Sequence, residues 1–450
     1  MACFYLNKAF RVFCIVALNT TCFTANASGF FNSATETVSF QDTTTTINQI
    51  MQQSSVFNKN REIDYISSLL FLQSVDVAKL DSSTKRAFYD KLSILYSFCG
   101  ENTLAVKNND STIFYQPYHS NYRPSKNDTT YLNKVEFVDA HATLISAAEK
   151  SRIFIIGEEH HSSPTRVFTA SLLEDLYKAG CRYLALEALS YKARFPANEK
   201  LNIKVPETGF YVLEPEMANL IRHAHKLGFN IMGYDCGGDC RSPQEREDVS
   251  ASRLSKVFKS DSTAKMVIHV GYGHGMKYSP PGSFRALGKV IWDSTGIEPV
   301  SVAQHEISEG YIPSFKNYAY QYLKPKIKGP SIIYMGNKPL DLSGLHMFDF
   351  SIIANSYNHY FQEEMNKRIG LKKFSVKLSK AELQNGFLLQ ILPLEEAESY
   401  GTEHVVPCYQ RLIKDKAEFT GALLPGKYMV LVRDKSNKVI SNKKLIIIKE

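Results

Sequence analysis

Two histidines follow glycines at the ends of apolar runs, in Gly157-Glu158-Glu159-His160 and Gly271-Tyr272-Gly273-His274. An imidazole works near neutral pH as base, acid or metal ligand. Carboxylates accompany the pair. Glu158 stands two residues before His160, and Glu187 ends a third apolar run. Either can orient an imidazole, take a proton or hold a cation. Arg166 and Arg246 fall in the first turns of two predicted helices. A cation there opposes the helix dipole by about 0.3–1 kcal/mol, which an anionic partner would offset. Glu158, His160, Glu187, His274 and Arg246 are therefore the candidate catalytic residues. Arg166, Tyr234, Asp235 and Tyr272 are candidate substrate contacts. His160, His274 and Glu158 are also candidate ligands for a divalent metal. A histidine aided by Tyr234 or Tyr272 could instead hold haem.

Five apolar runs would position these groups. Arg152–Ile156 precedes Glu158, Tyr183–Leu186 precedes Glu187, and Asn230–Tyr234 precedes Asp235. Lys265–Val270 precedes Gly271, and Pro299–Ala303 precedes Gln304-His305-Glu306. Short β-branched runs suit strands covered on both faces. Glycine permits a sharp turn at a strand end, and open α/β sheets place ligands at their carboxyl edge. Between the runs lie capped helices. Ser163-Pro164 opens one that ends at Gly180, Glu214-Pro215 one that ends at Gly228, Ser242-Pro243 a third, and Ser283 a fourth that ends at Gly296. Alternating strand and helix predicts a three-layer α/β/α fold with a mainly parallel sheet. Within the runs and helices, His269 reads as a satisfied core histidine. His161, His223 and His225 read as exposed.

The rest of the chain divides by composition. Residues 1–27 carry Lys8, Arg11, the apolar stretch Val12–Leu18 and the small-x-small site Ala25-Asn26-Ala27, the pattern of a secretory signal. Residues 28–60 are rich in Ser, Thr, Asn and Gln and are expected as a flexible leader. Residues 61–370 are expected as one α/β hydrolase-like domain. Its N-terminal part is helical over 62–98, and a further helix spans 136–150. From 371 to 450 short strands and turn signals predict a separately folding all-β sandwich module.

Charge and cysteine content narrow the class. Lys8 and Arg11 are the only charges in the first 27 residues, so their removal takes the net charge from +8 to +6. Both signs are dispersed, and no basic cluster interleaved with aromatics supports nucleic acid binding. No run is long enough for a transmembrane segment. A secreted or periplasmic protein is expected. Five cysteines lie beyond the signal, an odd number that excludes complete internal pairing. Cys236-Gly-Gly-Asp-Cys240 is the one close pair. It can be a disulfide or two thiols, and nothing nearby completes a zinc site.

The ordered set resembles the superfamily that contains erythromycin esterases, ChaN-like haem-binding proteins and Tiki/TraB proteins. The matching stretches are IFIIGEEHHSSPTRVFTASLLEDLYKAGCRYLALEAL, YDCGGDCRSPQEREDVSASRLSKVFKSDSTAKMVIHVGYGHG and STGIEPVSVAQHE, within about residues 150–310. The resemblance implies an α/β/α layered fold, with Glu158, His160, Glu187 and His274 in the active pocket and Arg246 as a further member. That superfamily is functionally mixed. Ester or amide hydrolysis of a small-molecule or peptide substrate, with or without a metal, is the leading expectation. Haem or iron binding without catalysis is the alternative. A scaffold turned to adhesion is disfavoured, because nothing then requires so many ionisable groups at one edge.

Overall fold

The computed structural model describes residues 45–115, 126–310, 315–341, 345–356, 358–414 and 416–447. The expected signal segment, residues 1–27, lies outside the described residues. Among the described residues, ten strands form one sheet. They are β1 (Glu136–Asp139), β2 (Ile153–Glu158), β3 (Tyr183–Ser190), β4 (Arg194–Phe195), β5 (Asn230–Asp235), β6 (Met266–Gly271), β7 (Val300–Ala303), β8 (Ser331–Met335), β9 (Lys338–Pro339) and β10 (Phe350–Ile353). Their order is β1-β8-β10-β7-β2-β6-β3-β5-β4, with β9 on β8. From β10 to β5 every neighbour is parallel. The antiparallel strands β1, β8 and β4 lie outside this block.

Both faces of the sheet are covered, which explains the continuous apolar runs. On β2, Phe154 and Ile156 pack with Leu172 and Leu176 of helix Ser163–Lys178 and Ile221 of helix Pro215–Leu227. Ile153 and Ile155 face the other way, onto Leu254 of helix Pro243–Ser260 and Ile291 of helix Leu287–Thr295. The architecture is the predicted mixed α/β layering. β6 inserts between β2 and β3, so the carboxyl ends of β2, β6 and β3 are immediate neighbours.

Several boundaries differ from expectation. The leader is not wholly irregular. Thr46 caps helix Ile47–Gln53 through a capping box, and Ile50 and Val56 are fully buried in the main core. The helix expected over 136–150 begins only at Ala140, because Glu136–Asp139 pairs with β8 at the sheet edge.

The C-terminal part forms two antiparallel sheets, β11 (Lys372–Lys377) with β14 (Glu418–Leu423), and β12 (Leu388–Pro393), β13 (Tyr409–Leu412), β15 (Gly426–Arg433) and β16 (Val439–Ile447) in order 13-12-15-16. The sheets share a cluster that includes Phe374, Leu389, Phe419 and Val430. This part is not independent of the rest. Leu388, Val406 and Leu412 belong to the same core as Ile50, Tyr65 and Phe98. Gln410 Nε2 donates to the Phe98 carbonyl at 2.6 Å, and Arg222 pairs with Glu396 at 2.7 Å. Among the described residues no helix is long and apolar enough to cross a membrane.

Candidate functional site

The site is built from strand ends and the first turns of the following helices. Glu158 closes β2 and is nearly fully buried. Arg166, in the first turns of helix Ser163–Lys178, reaches back to it: Nε donates to Oε2 at 2.7 Å and Nη2 to Oε1 at 3.1 Å. Burial alone would raise the Glu158 carboxyl. Arg166, then His269 and His160, overcome this and hold it well below the usual carboxylate range. Arg166 was expected to touch substrate. It is instead 0% exposed, paired also with Glu214 at 3.0 Å and donating to the His160 carbonyl at 2.9 Å. Its task is to hold Glu158.

His160 Nδ1 lies 3.1 Å from Glu158 Oε1. An ionised carboxylate only accepts, so the shared hydrogen belongs to Nδ1. That tautomer leaves the Nε2 lone pair free, and among the described residues Nε2 has no hydrogen bond. Tyr211 stacks on the ring at 4.3 Å, Tyr272 meets it edge-on at 4.9 Å, and the side chain keeps 14% exposure. Gly271, the last residue of β6, provides the room. A Cβ there would stand 2.6 Å from His160 Nε2 and 3.2 Å from Glu187 Oε2. Its φ of −81° is ordinary, so space and not backbone freedom requires glycine. In this turn Tyr272 takes the left-handed conformation, with φ 40°.

A second cluster adjoins the first. Glu187 accepts from Arg246 Nη2 at 2.6 Å and from the Gly271 N–H. Burial opposes its charge, but His274, Arg246, His160 and the Gly271 bond bring its carboxyl down to about 2. Arg246 also binds both oxygens of Asp235, at 2.7 and 2.8 Å, so Asp235 is engaged within the protein and not with substrate. His274 is buried. Its Nδ1 lies 2.5 Å from Glu247 Oε1, and its Nε2 lies 3.6 Å from Glu187 Oε1 without a hydrogen bond. Burial would lower this imidazole, yet Glu247 and then Glu187 raise it to about 9. Glu187, Tyr234, Asp235, Arg246, Glu247 and His274 line a cavity of about 10 Å³, room for about one water.

The structure therefore gathers Glu158, His160, Glu187, His274 and Arg246 at one sheet edge. Tyr272 flanks His160, whereas Tyr234 is buried with its hydroxyl on the His269 carbonyl at 3.3 Å. Three histidines differ from expectation. His269 Nε2 has no hydrogen bond and sits 3.7 Å from Glu158. His161 is buried, 3.4 Å from the Tyr272 hydroxyl. His223 is buried, and burial pushes its ring down to about 4. Glu214, Glu247 and His269 are not among the site residues expected from the sequence. Glu214 and Glu247 sit at helix starts, where an acid suits the dipole and carries no special signal. Cys236 and Cys240 form a disulfide across a Cα separation of 6.0 Å, closing the loop between Asp235 and the helix that carries Arg246.

The donor set does not suit a metal ion. Glu158 and Glu187, the carboxylates it would need, are each paired with a guanidinium group whose charge opposes a further cation. Among the described residues no group of three or more His, Cys, Asp or Glu side chains is arranged to hold one. Haem would require a broad apolar wall, and the cavity is lined mainly by charge.

Comparison with known proteins adds little. No family model matches the chain, and no curated protein matches it. A solved chain described as "The structure of the type III effector HopBA1" aligns over 41% of this chain and 93% of that one, at 15% identity and a TM-score of 0.25. A likeness this slight carries no argument.

Proposed function

We propose that this protein is an exported hydrolase that cleaves an ester or amide bond by attack of water. The Glu158–His160 pair carries the reading, because the carboxylate fixes Nδ1–H and leaves Nε2 free as a base. In the proposed reaction His160 Nε2 takes a proton from water as its oxygen attacks the carbonyl carbon. His274 stabilises the developing oxyanion and its Nε2–H protonates the leaving group, while Arg246 fixes Glu187 beside it. The carbonyl reaches His160 along the exposed part of its ring. Kinship with the erythromycin esterase, ChaN-like and Tiki/TraB superfamily belongs to the same proposal. So do the signal over residues 1–27 and secretion or a periplasmic location.

The test is turnover of a panel of esters, amides and peptides by the wild type, His160→Ala and His274→Ala, with thermal melts alongside. Each variant should lose about two orders of magnitude or more in rate while retaining a cooperative melt. A wild type inert across the panel, or both variants turning over like it, overturns the proposal.

A further inference from the structure

We propose that Glu247 is a positioning residue of this site, fixing the His274 ring through Nδ1 so that Nε2 is the nitrogen left for the reacting group. The proposal rests on the hydrolytic reading for its chemistry, but its geometry stands apart from it. Glu247 follows Arg246 in the first turns of helix Pro243–Ser260 and is 3% exposed. Its Oε1 lies 2.5 Å from His274 Nδ1. Among the described residues that is its one hydrogen bond and ion pair. The partner of the other buried dyad differs: Glu158 is shared with Arg166 through both oxygens. Glu247 has no guanidinium hydrogen-bonded to it among the described residues, and its carboxylate faces the His274 ring.

The groups facing His274 are Glu247 on Nδ1, Glu187 on Nε2 and Arg246 beside both carboxylates. Arg246 opposes the charge and the two glutamates support it. Their sum holds the ring protonated up to about pH 9. The orphaned Nε2, buried 3.6 Å from Glu187 Oε1, is the atom that would deliver the proton.

Nitrogen-detected histidine NMR of the full chain tests this across pH, in the wild type, Glu247→Gln and Glu247→Asp. In the wild type His274 should titrate near 9, and in Glu247→Gln about 1–3 pH units lower. Glu247→Asp should recover part of the shift. For whichever panel substrate the wild type cleaves, the alkaline limb of kcat/KM should move down by the same interval in Glu247→Gln. Stability follows the same sign. A folded-state value above the ordinary 6.5 stabilises fully below that pH and is lost as pH rises through about 9, so this alkaline loss should be absent from Glu247→Gln. Wild-type His274 titrating near 6.5, or an unmoved titration in Glu247→Gln, overturns the proposal. The wild-type measurement and Glu247→Asp decide it should Glu247→Gln not fold. An inert wild type with the expected NMR shift removes the hydrolytic reading and leaves Glu247 as the group that charges His274.

Discussion

Gly271→Ala is the substitution that most sharply separates the site from the scaffold. The backbone at Gly271 has φ −81° and ψ 140°, which alanine adopts without strain. The added Cβ, however, would stand 2.3 Å from His160 Cε1 and 2.6 Å from Nε2. The ring cannot simply withdraw, since Tyr211 stacks on it at 4.3 Å and Tyr272 meets it at 4.9 Å. Restoring ordinary contact requires His160 to move by about 1 Å, a misplacement that can cost about 100-fold in rate. Overpacking of this kind costs about 1–3 kcal/mol in stability. Gly273→Ala is the matched control two residues on. There a Cβ meets only the Met276 side chain, with Cε at 2.9 Å, and a flexible thioether end gives way easily. The assay is kcat/KM on a substrate the wild type cleaves, with melts and the His160 NMR signals in both variants. Gly271→Ala should lose activity and shift the His160 resonances, and Gly273→Ala should do neither. Full activity in Gly271→Ala with unshifted His160 signals would refute the argument that this glycine exists to seat the histidine.

Arg166→Met leaves Glu158 and Glu214 buried beside each other without their cation. It should cost about 3–5 kcal/mol, visible as a large fall in Tm, and a near-wild-type melt would show that the carboxylates find another partner. Truncation after Leu371 removes Leu388, Val406 and Leu412 from the main core and the Gln410 bond to Phe98. The truncated chain should fail to give a cooperative melt, and a soluble, cooperative product would restore the separate module expected from the strand pattern.

What was legible in the sequence is what alternation and strand ends display. The runs Ile153–Ile156 and Met266–Val270 are apolar on both faces because helices cover both faces of the sheet. The polar residues that follow them therefore had to emerge at one edge. The outer strands were less legible: β1 is four residues with little burial, and β4 and β9 are two residues each. Too few positions alternate there to declare a period. Helix Ile47–Gln53 hid for a related reason, being short and burying only Ile50. The C-terminal strands were visible as strands. No periodicity, however, says what their outer surfaces rest against, and so the core shared with Phe98 was missed. His269 is the instructive failure at the site. Its place inside an apolar run made it a core residue in the reading, and it is one. The same burial puts its ring beside Glu158 of the neighbouring strand.

One construction recurs in the two halves of the sheet without any repeat in the sequence. Glu158 at the end of β2 is met by Arg166, eight positions on, and Asp235 at the end of β5 by Arg246, eleven positions on. In each case the arginine lies in the opening turns of the helix that follows the strand. A cation there is unfavourable to the helix dipole by itself. A strand-end carboxylate buried alone is far more unfavourable. Bringing them together cancels both costs and fixes the strand end to the helix start. Arg246 goes further and takes Glu187 from the neighbouring β3, joining three elements at one guanidinium. The arginines thus belong to the fold as much as to the site, and removing one must lower stability. The histidines stand differently. His160 and His274 lie in turns, each attached by Nδ1 to a carboxylate. The arginines neutralise charge and fix geometry, while each of the two imidazoles keeps an Nε2 without a hydrogen bond among the described residues.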